Sequence, residues 1–140
     1  MDDAAILCAG AIAAVEHILT NYHLKPPEVE VPKALRRRSN LFMGKLMYER
    51  GSWGRCAMHL RLVRTELQQQ NVDLDPSDAR RLVIASAKVG QVQGALGHLN
   101  AYRGMGIVLK DADALIADCL AVVTAEDQMR NELTSFAASL

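Results

Sequence analysis

Apolar residues return at intervals of three and four along most of this chain, and strict alternation is rare, so the pattern predicts helices. The first is expected from Asp3 to about Tyr22, with Ile6, Ala9, Gly10, Ala13 and His17 at helical spacing. Three prolines in seven residues, Pro26, Pro27 and Pro32, then predict an extended connector over 25–33, with Val29 and Val31 on one side of it. A second helix is expected from Lys33 to about Arg50 through Leu41, Phe42, Leu46 and Met47, closed by Gly51 as a left-handed cap. Ser52 opens a third, Trp53 to about Gln70, which sets Cys56, Leu60, Val63 and Leu67 on one face. Asn71 to Asp75 reads as a turn. Asp75 followed by Pro76 is a strong helix start, and this fourth helix, carrying Leu82 and Val83, ends at Gly90. A fifth covers Gln91 to Arg103 and stops at Gly104 and Gly106, and Asp111 starts a sixth through Leu115, Cys119 and Val122. Thr124, with Asp127 three residues later, signals a cap for a seventh, Ala125 to Leu140, with an apolar stripe of Met129, Leu133, Phe136 and Leu140.

The expectation is an all-α fold of about seven helices in one 140-residue domain: an N-terminal helix over 1–24, the connector over 25–33, and antiparallel helical hairpins over 34–140. Within the hairpins a segment occurs twice, thirty-nine residues apart. The first copy carries Gly51, Cys56, His59, Leu60 and Arg64; the second carries Gly90, Ala95, His98, Leu99 and Arg103. An apolar helical segment precedes each glycine, Leu41 to Tyr48 and Leu82 to Ala87. A weaker echo, Asn71 to Leu74 and Gly106 to Leu109, recurs at thirty-five, so the repeat is irregular. Repeated hairpins stack, and stacks of hairpins mostly serve binding.

Composition agrees with helices, since good helix formers dominate and aromatic residues make up only 4%. Charge changes the picture more. The chain is neutral overall, but 1–32 carries one Lys against five acids, a balance of −4, and 33–64 carries nine Lys or Arg against Glu49 alone, a balance of +8. Residues 65–103 balance, and 104–140 return to −4 with two bases against six acids. A basic centre between acidic ends either pairs internally or marks a surface for an acidic partner. Arg36, Arg37 and Arg38 are expected near a helix start, where cations gain nothing from the dipole, so with Arg50, Arg55, Arg61 and Arg64 they form the candidate basic binding surface.

Candidate chemistry is sparse. The three cysteines Cys8, Cys56 and Cys119 are far apart in apolar company and read as reduced core residues. His59 and His98 hold equivalent repeat positions and are expected to pack or donate at the hairpins, while His17 and His23 do not share a helical face. No phosphate-cradling loop, nucleophile elbow or zinc-binding motif occurs, so no catalytic residue, cofactor or metal is expected. Ala4 to Val15 is apolar over twelve residues, short for a bilayer, and Asp2 and Asp3 stand where a signal peptide has basic residues; the expectation is no membrane span and a cytoplasmic location. Trp53, Met129, Leu133 and Phe136 are the candidate apolar contact residues, the last three because a stripe not buried internally will bury against another chain.

Over residues 40 to about 122 the chain resembles tetratricopeptide and pentatricopeptide proteins. Gly44, Tyr48, Gly51, Cys56 and Leu60 are similar to the tetratricopeptide pattern, Asp73 to Pro76 looks like the close of such a unit, and Leu82 to Gly106 looks like a second unit. The tetratricopeptide resemblance implies a non-enzymatic adaptor, chaperone or assembly subunit that holds a helical or acidic segment of a protein partner. The pentatricopeptide resemblance implies a nucleic-acid-binding subunit, here through the basic segment 33–64. Arg80 and Arg81 stand where small polar base-reading residues are expected, and no aromatic platform interleaves the bases, so protein binding or self-association is the preferred expectation.

Overall fold

The computed structural model describes residues 3–140; Asp2, read above with Asp3 as standing where a signal peptide has basic residues, lies outside them. Six helices form: α1 (Asp3–Asn21), α2 (Glu30–Glu49), α3 (Trp53–Gln68), α4 (Pro76–Lys88), α5 (Val92–Gly104) and α6 (Ala112–Ala138). No strand occurs among the described residues, and the all-α expectation holds.

Two boundaries differ from the expectation. The 25–33 connector is not extended: α2 begins at Glu30, with Pro32 inside its first turn, where the missing N–H had no helical acceptor in any case. Val29 is already helical in backbone, and its N–H donates to the Lys25 carbonyl at 3.2 Å. The proposed break at Thr124 is absent as well, so the expected sixth and seventh helices are one 27-residue helix. Neither glycine nor proline interrupts it, and the Thr124 hydroxyl, instead of capping, donates to the Leu120 carbonyl one turn back at 3.0 Å.

The glycine signals are correct, and one structural device explains them. Gly51 (φ 71°), Gly90 (φ 83°) and Gly106 (φ 76°) close α2, α4 and α5 in the left-handed conformation that glycine adopts without a Cβ penalty. In each case the next residue's N–H reaches back to the carbonyl five positions earlier: Ser52 to Met47 (2.8 Å), Gln91 to Ser86 (2.9 Å) and Ile107 to Tyr102 (3.0 Å). Asn71 (φ 58°) does the same for α3, with Val72 N–H on the Leu67 carbonyl at 3.0 Å. At the other end of α4, the Asp75 side chain accepts from Asp78 N–H at 3.0 Å, the cap read from the sequence.

Each helix packs on the next, and α4 also touches both α2 and α6; α1 packs on α2 alone. Apart from Val15, the buried apolar side chains form one contiguous cluster from Ala5 to Cys119, in which Leu60, Leu82, Val83, Leu99 and Tyr102 are among the most deeply buried large residues. The duplicated positions are structurally equivalent where they are apolar: Cys56 and Ala95 are fully buried, as are Leu60 and Leu99. Gly44 marks the tightest crossing, where a Cβ would lie 2.6 Å from Leu60 Cδ2 and 2.8 Å from its Cγ. The core stops at Val123, and every residue of α6 beyond it is exposed.

Candidate functional site

The centre of the molecule converts its polar residues into internal structure. Arg64 on α3 grips Asp73 with two N–H groups, Nε to Oδ1 at 3.1 Å and Nη2 to Oδ2 at 3.4 Å. Tyr102 on α5 donates its hydroxyl to Asp73 Oδ1, the Leu74 N–H donates to the same oxygen at 2.8 Å, and the Arg64 guanidinium lies 5.7 Å from the Tyr102 ring centroid. Burial opposes the Asp73 charge, but Tyr102, Leu74 and Arg64 together hold its carboxyl below the usual range. Burial, with Asp73 beside it, pushes the Tyr102 hydroxyl upward, so it stays a donor. Arg64 Nη1 also lies 2.8 Å from His98 Nδ1. A guanidinium only donates, so this nitrogen accepts and the ring is neutral; burial, then Arg64 and Arg61, lower its pKa. His59, its repeat counterpart, meets Asn40 Oδ1 at 2.7 Å, and burial followed by Arg55 lowers its pKa too. The two histidines thus do similar work with different partners: each makes a side-chain hydrogen bond to an earlier helix, His59 to Asn40 on α2 and His98 to Arg64 on α3.

The candidate arginines disperse. Helix α2 starts three residues earlier than expected, so Arg36 to Arg38 lie in its second and third turns and not at its start. Arg36 pairs with Glu16 at 2.8 Å and Glu66 at 3.8 Å, and Arg37 pairs with Glu66 at 3.0 Å. Arg61 bonds to Gln91, and Arg64 belongs to the cluster above. Arg38, Arg50 and Arg55 are exposed. The carboxylates that neutralise the basic centre therefore come from α1, α3 and the α3–α4 turn, not chiefly from the acidic C-terminus. Trp53 is half-buried, edge-on to Tyr48 (centroids 5.3 Å, 73° between planes), with the Lys88 ammonium 6.0 Å above its ring.

Apolar side chains, by contrast, are left bare at both ends. Met129, Leu133 and Phe136 are 64%, 63% and 63% exposed and Leu140 is 92% exposed. They continue, at spacings of four, three and four, the row by which Leu115, Cys119 and Val122 join the core. Helix α1 is apolar around most of its surface but covers only one side, so Ile6, Leu7 and the small residues Gly10, Ala13 and Ala14 are exposed. Its 19 residues, with mean hydropathy 1.5 and 11% of the window buried, meet the length and composition needed to cross a membrane; the apolar segment is longer than the Ala4 to Val15 run.

Among the described residues no three His, Cys, Asp or Glu side chains stand close enough to share a metal ion. Cys56 is buried with its thiol pushed up to about 11 by burial, and burial raises Cys119 as well, so both are protonated, poor nucleophiles. A cleft of about 580 Å³ opens between α5 and the loop into α6, lined by Arg103, Ile107, Val108, Lys110 and Asp111, with no nucleophile beside a base. Compared with known proteins, the chain matches no family, no curated protein and no solved structure.

Proposed function

We propose that this protein is a non-enzymatic interaction module that binds another helix through the C-terminal half of α6, as an adaptor or assembly subunit. One observation carries the reading: a helix of regular three-four apolar spacing leaves the body at Val123 and continues to Ala138 with Met129, Leu133 and Phe136 uncovered. An isolated helical segment of this length is marginal in water, so its apolar face is best explained by a partner that completes it. The tetratricopeptide-like reading of the hairpins adds that such stacks bury each unit on the next and need polar outer faces at their ends, which neither α1 nor α6 supplies. The basic segment gives the nucleic-acid reading less support, because Arg36, Arg37 and Arg64 are committed to Glu16, Glu66 and Asp73.

The test is affinity capture with the tagged chain and its Leu133→Glu and Phe136→Glu variants, with and without nuclease. Protein association that survives nuclease and is lost in both variants is the expected result. Capture unchanged by the variants, or abolished by nuclease alone, overturns the reading.

A further inference from the structure

A second apolar row is exposed on the same chain, along the outer face of α2. Val31 (75% exposed), Leu35 (48%) and Phe42 (45%) recur there, with Arg38 and Lys45 at the intervening three-four positions. From Val31 to Lys45 the steps are four, three, four and three. From Leu140 back to Glu126, through Phe136, Leu133 and Met129, they are the same.

Laid antiparallel, the two rows match in kind as well as spacing. Val31 falls opposite Leu140, Leu35 opposite Phe136, and Phe42 opposite Met129. Lys45 falls opposite Glu126. Arg38 falls opposite Leu133, beside Glu132, where its aliphatic stem covers the leucine and its guanidinium reaches the acid. Arg38, Glu126 and Glu132 carry no ion pair among the described residues, so this register supplies partners that the single chain leaves out. The row spans about 21 Å at 1.5 Å per residue, four turns of a seam suited to two helices crossing near 20°.

Within one chain α2 and α6 do not touch, so the match is available only between chains. We infer, resting on the proposed role of the α6 tail, that its occupant is the outer face of α2 on a second copy of this protein. Two tails paired with each other are a poorer fit. The antiparallel register that sets Met129 on Leu133 also sets Glu126 against Phe136, and it brings together two segments that each carry three acids against Arg130 alone, whose one complement there is Glu132.

The experiment is sedimentation of the purified full chain across concentration, with circular dichroism to check folding. The wild type self-associates, and Phe136→Glu and Phe42→Glu each weaken this by about a hundredfold, the loss of one central apolar anchor. Lys45→Glu weakens it by about fivefold, as does Glu126→Lys, and the double variant recovers it, with the single-variant losses shrinking in high salt. Leu133→Glu and Leu35→Glu repeat the two apolar arms at independent positions. A monomer at all concentrations overturns the inference. So does association that Phe136→Glu abolishes while Phe42→Glu and Lys45→Glu leave it intact; in that case the tail is still the contact and only its occupant is wrong. Association indifferent to Phe136→Glu and Leu133→Glu sinks both the inference and the role of the tail.

Discussion

The body between Gly44 and Leu109 and the tail beyond Val123 are made of the same material, apolar residues at three-four spacing on helices of ordinary composition. In the body, each helix sets its main apolar row against a neighbouring helix, Met58 and Leu62 on α3 staying exposed, and even polar residues turn inward: Arg64, Asp73, His98 and Tyr102 satisfy one another. In the tail the row meets nothing, and the charged residues stand at ordinary surface spacing, Arg130 with Asp127 at 3.5 Å. The contrast teaches that periodicity specifies which side chains seek cover, while the supply of neighbours decides whether they find it inside the chain. A helix in the middle of a stack has neighbours on both sides. A helix that outruns the stack has none.

The contrast breaks most directly by truncating one leucine in each region. Leu82→Ala opens a cavity in a fully buried site and is expected to cost about 2–5 kcal/mol, whereas Leu133→Ala stays within about 0.5 kcal/mol in dilute solution. Chemical denaturation of both variants at low protein concentration checks this, and a comparable loss from Leu133→Ala would mean that the tail is covered within the monomer. Glycines sharpen the same point at smaller magnitude. Gly44→Ala gains about 1 kcal/mol of helix propensity but drives a methyl group into the buried Leu60, an overpacking cost of about 1–3 kcal/mol. A net loss is expected. Gly10→Ala, on the open face of α1 with nothing within 4 Å, keeps the propensity gain and raises the melting temperature. Stabilisation by Gly44→Ala would show that the α2–α3 crossing is looser than it stands.

The smallest effect is a pH dependence confined to the body. His59 and His98 have folded-state pKa values below the ordinary 6.5, burial being the leading cause, so the unfolded chain binds their protons more readily. Stability is therefore full above about 6.5 and falls as the pH drops from there through the folded values. Melting curves from pH 7.5 to 5 test this: the slope is expected to be shallower in His98→Gln, whose amide oxygen still accepts from Arg64. An identical slope in that variant would remove His98 from the account.

Much of the body was legible in the sequence because its signals are local. Gly51, Gly90 and Gly106 announce positive φ, and Asp75 before Pro76 announces a cap, whatever the rest of the chain does. Pro32 and Thr124 misled because each has two local solutions. Proline breaks a helix interior but fits a first turn, and a threonine hydroxyl caps a new helix or bonds back into the old one. Six helices instead of seven follow from the second choice. The pairing of the basic segment is hidden for a different reason. Arg36 finds Glu16 twenty residues away and Arg37 finds Glu66 twenty-nine away, pairings that no local spacing shows. His59 with Asn40 is of the same kind. The tail was named from its stripe, but only the structure shows that the stripe is bare.

The continuity of α6 across Val123 has a consequence for how the tail holds its shape. Starting a helix is the expensive step, and here the packed half from Ala112 to Val123 has already taken it. The remaining turns only propagate, each slightly less supported than the one before. Amide hydrogens along α6 should then exchange with solvent on a gradient, slow at Cys119 and progressively faster toward Leu140. A partner laid along the row would flatten that gradient from the far end inward.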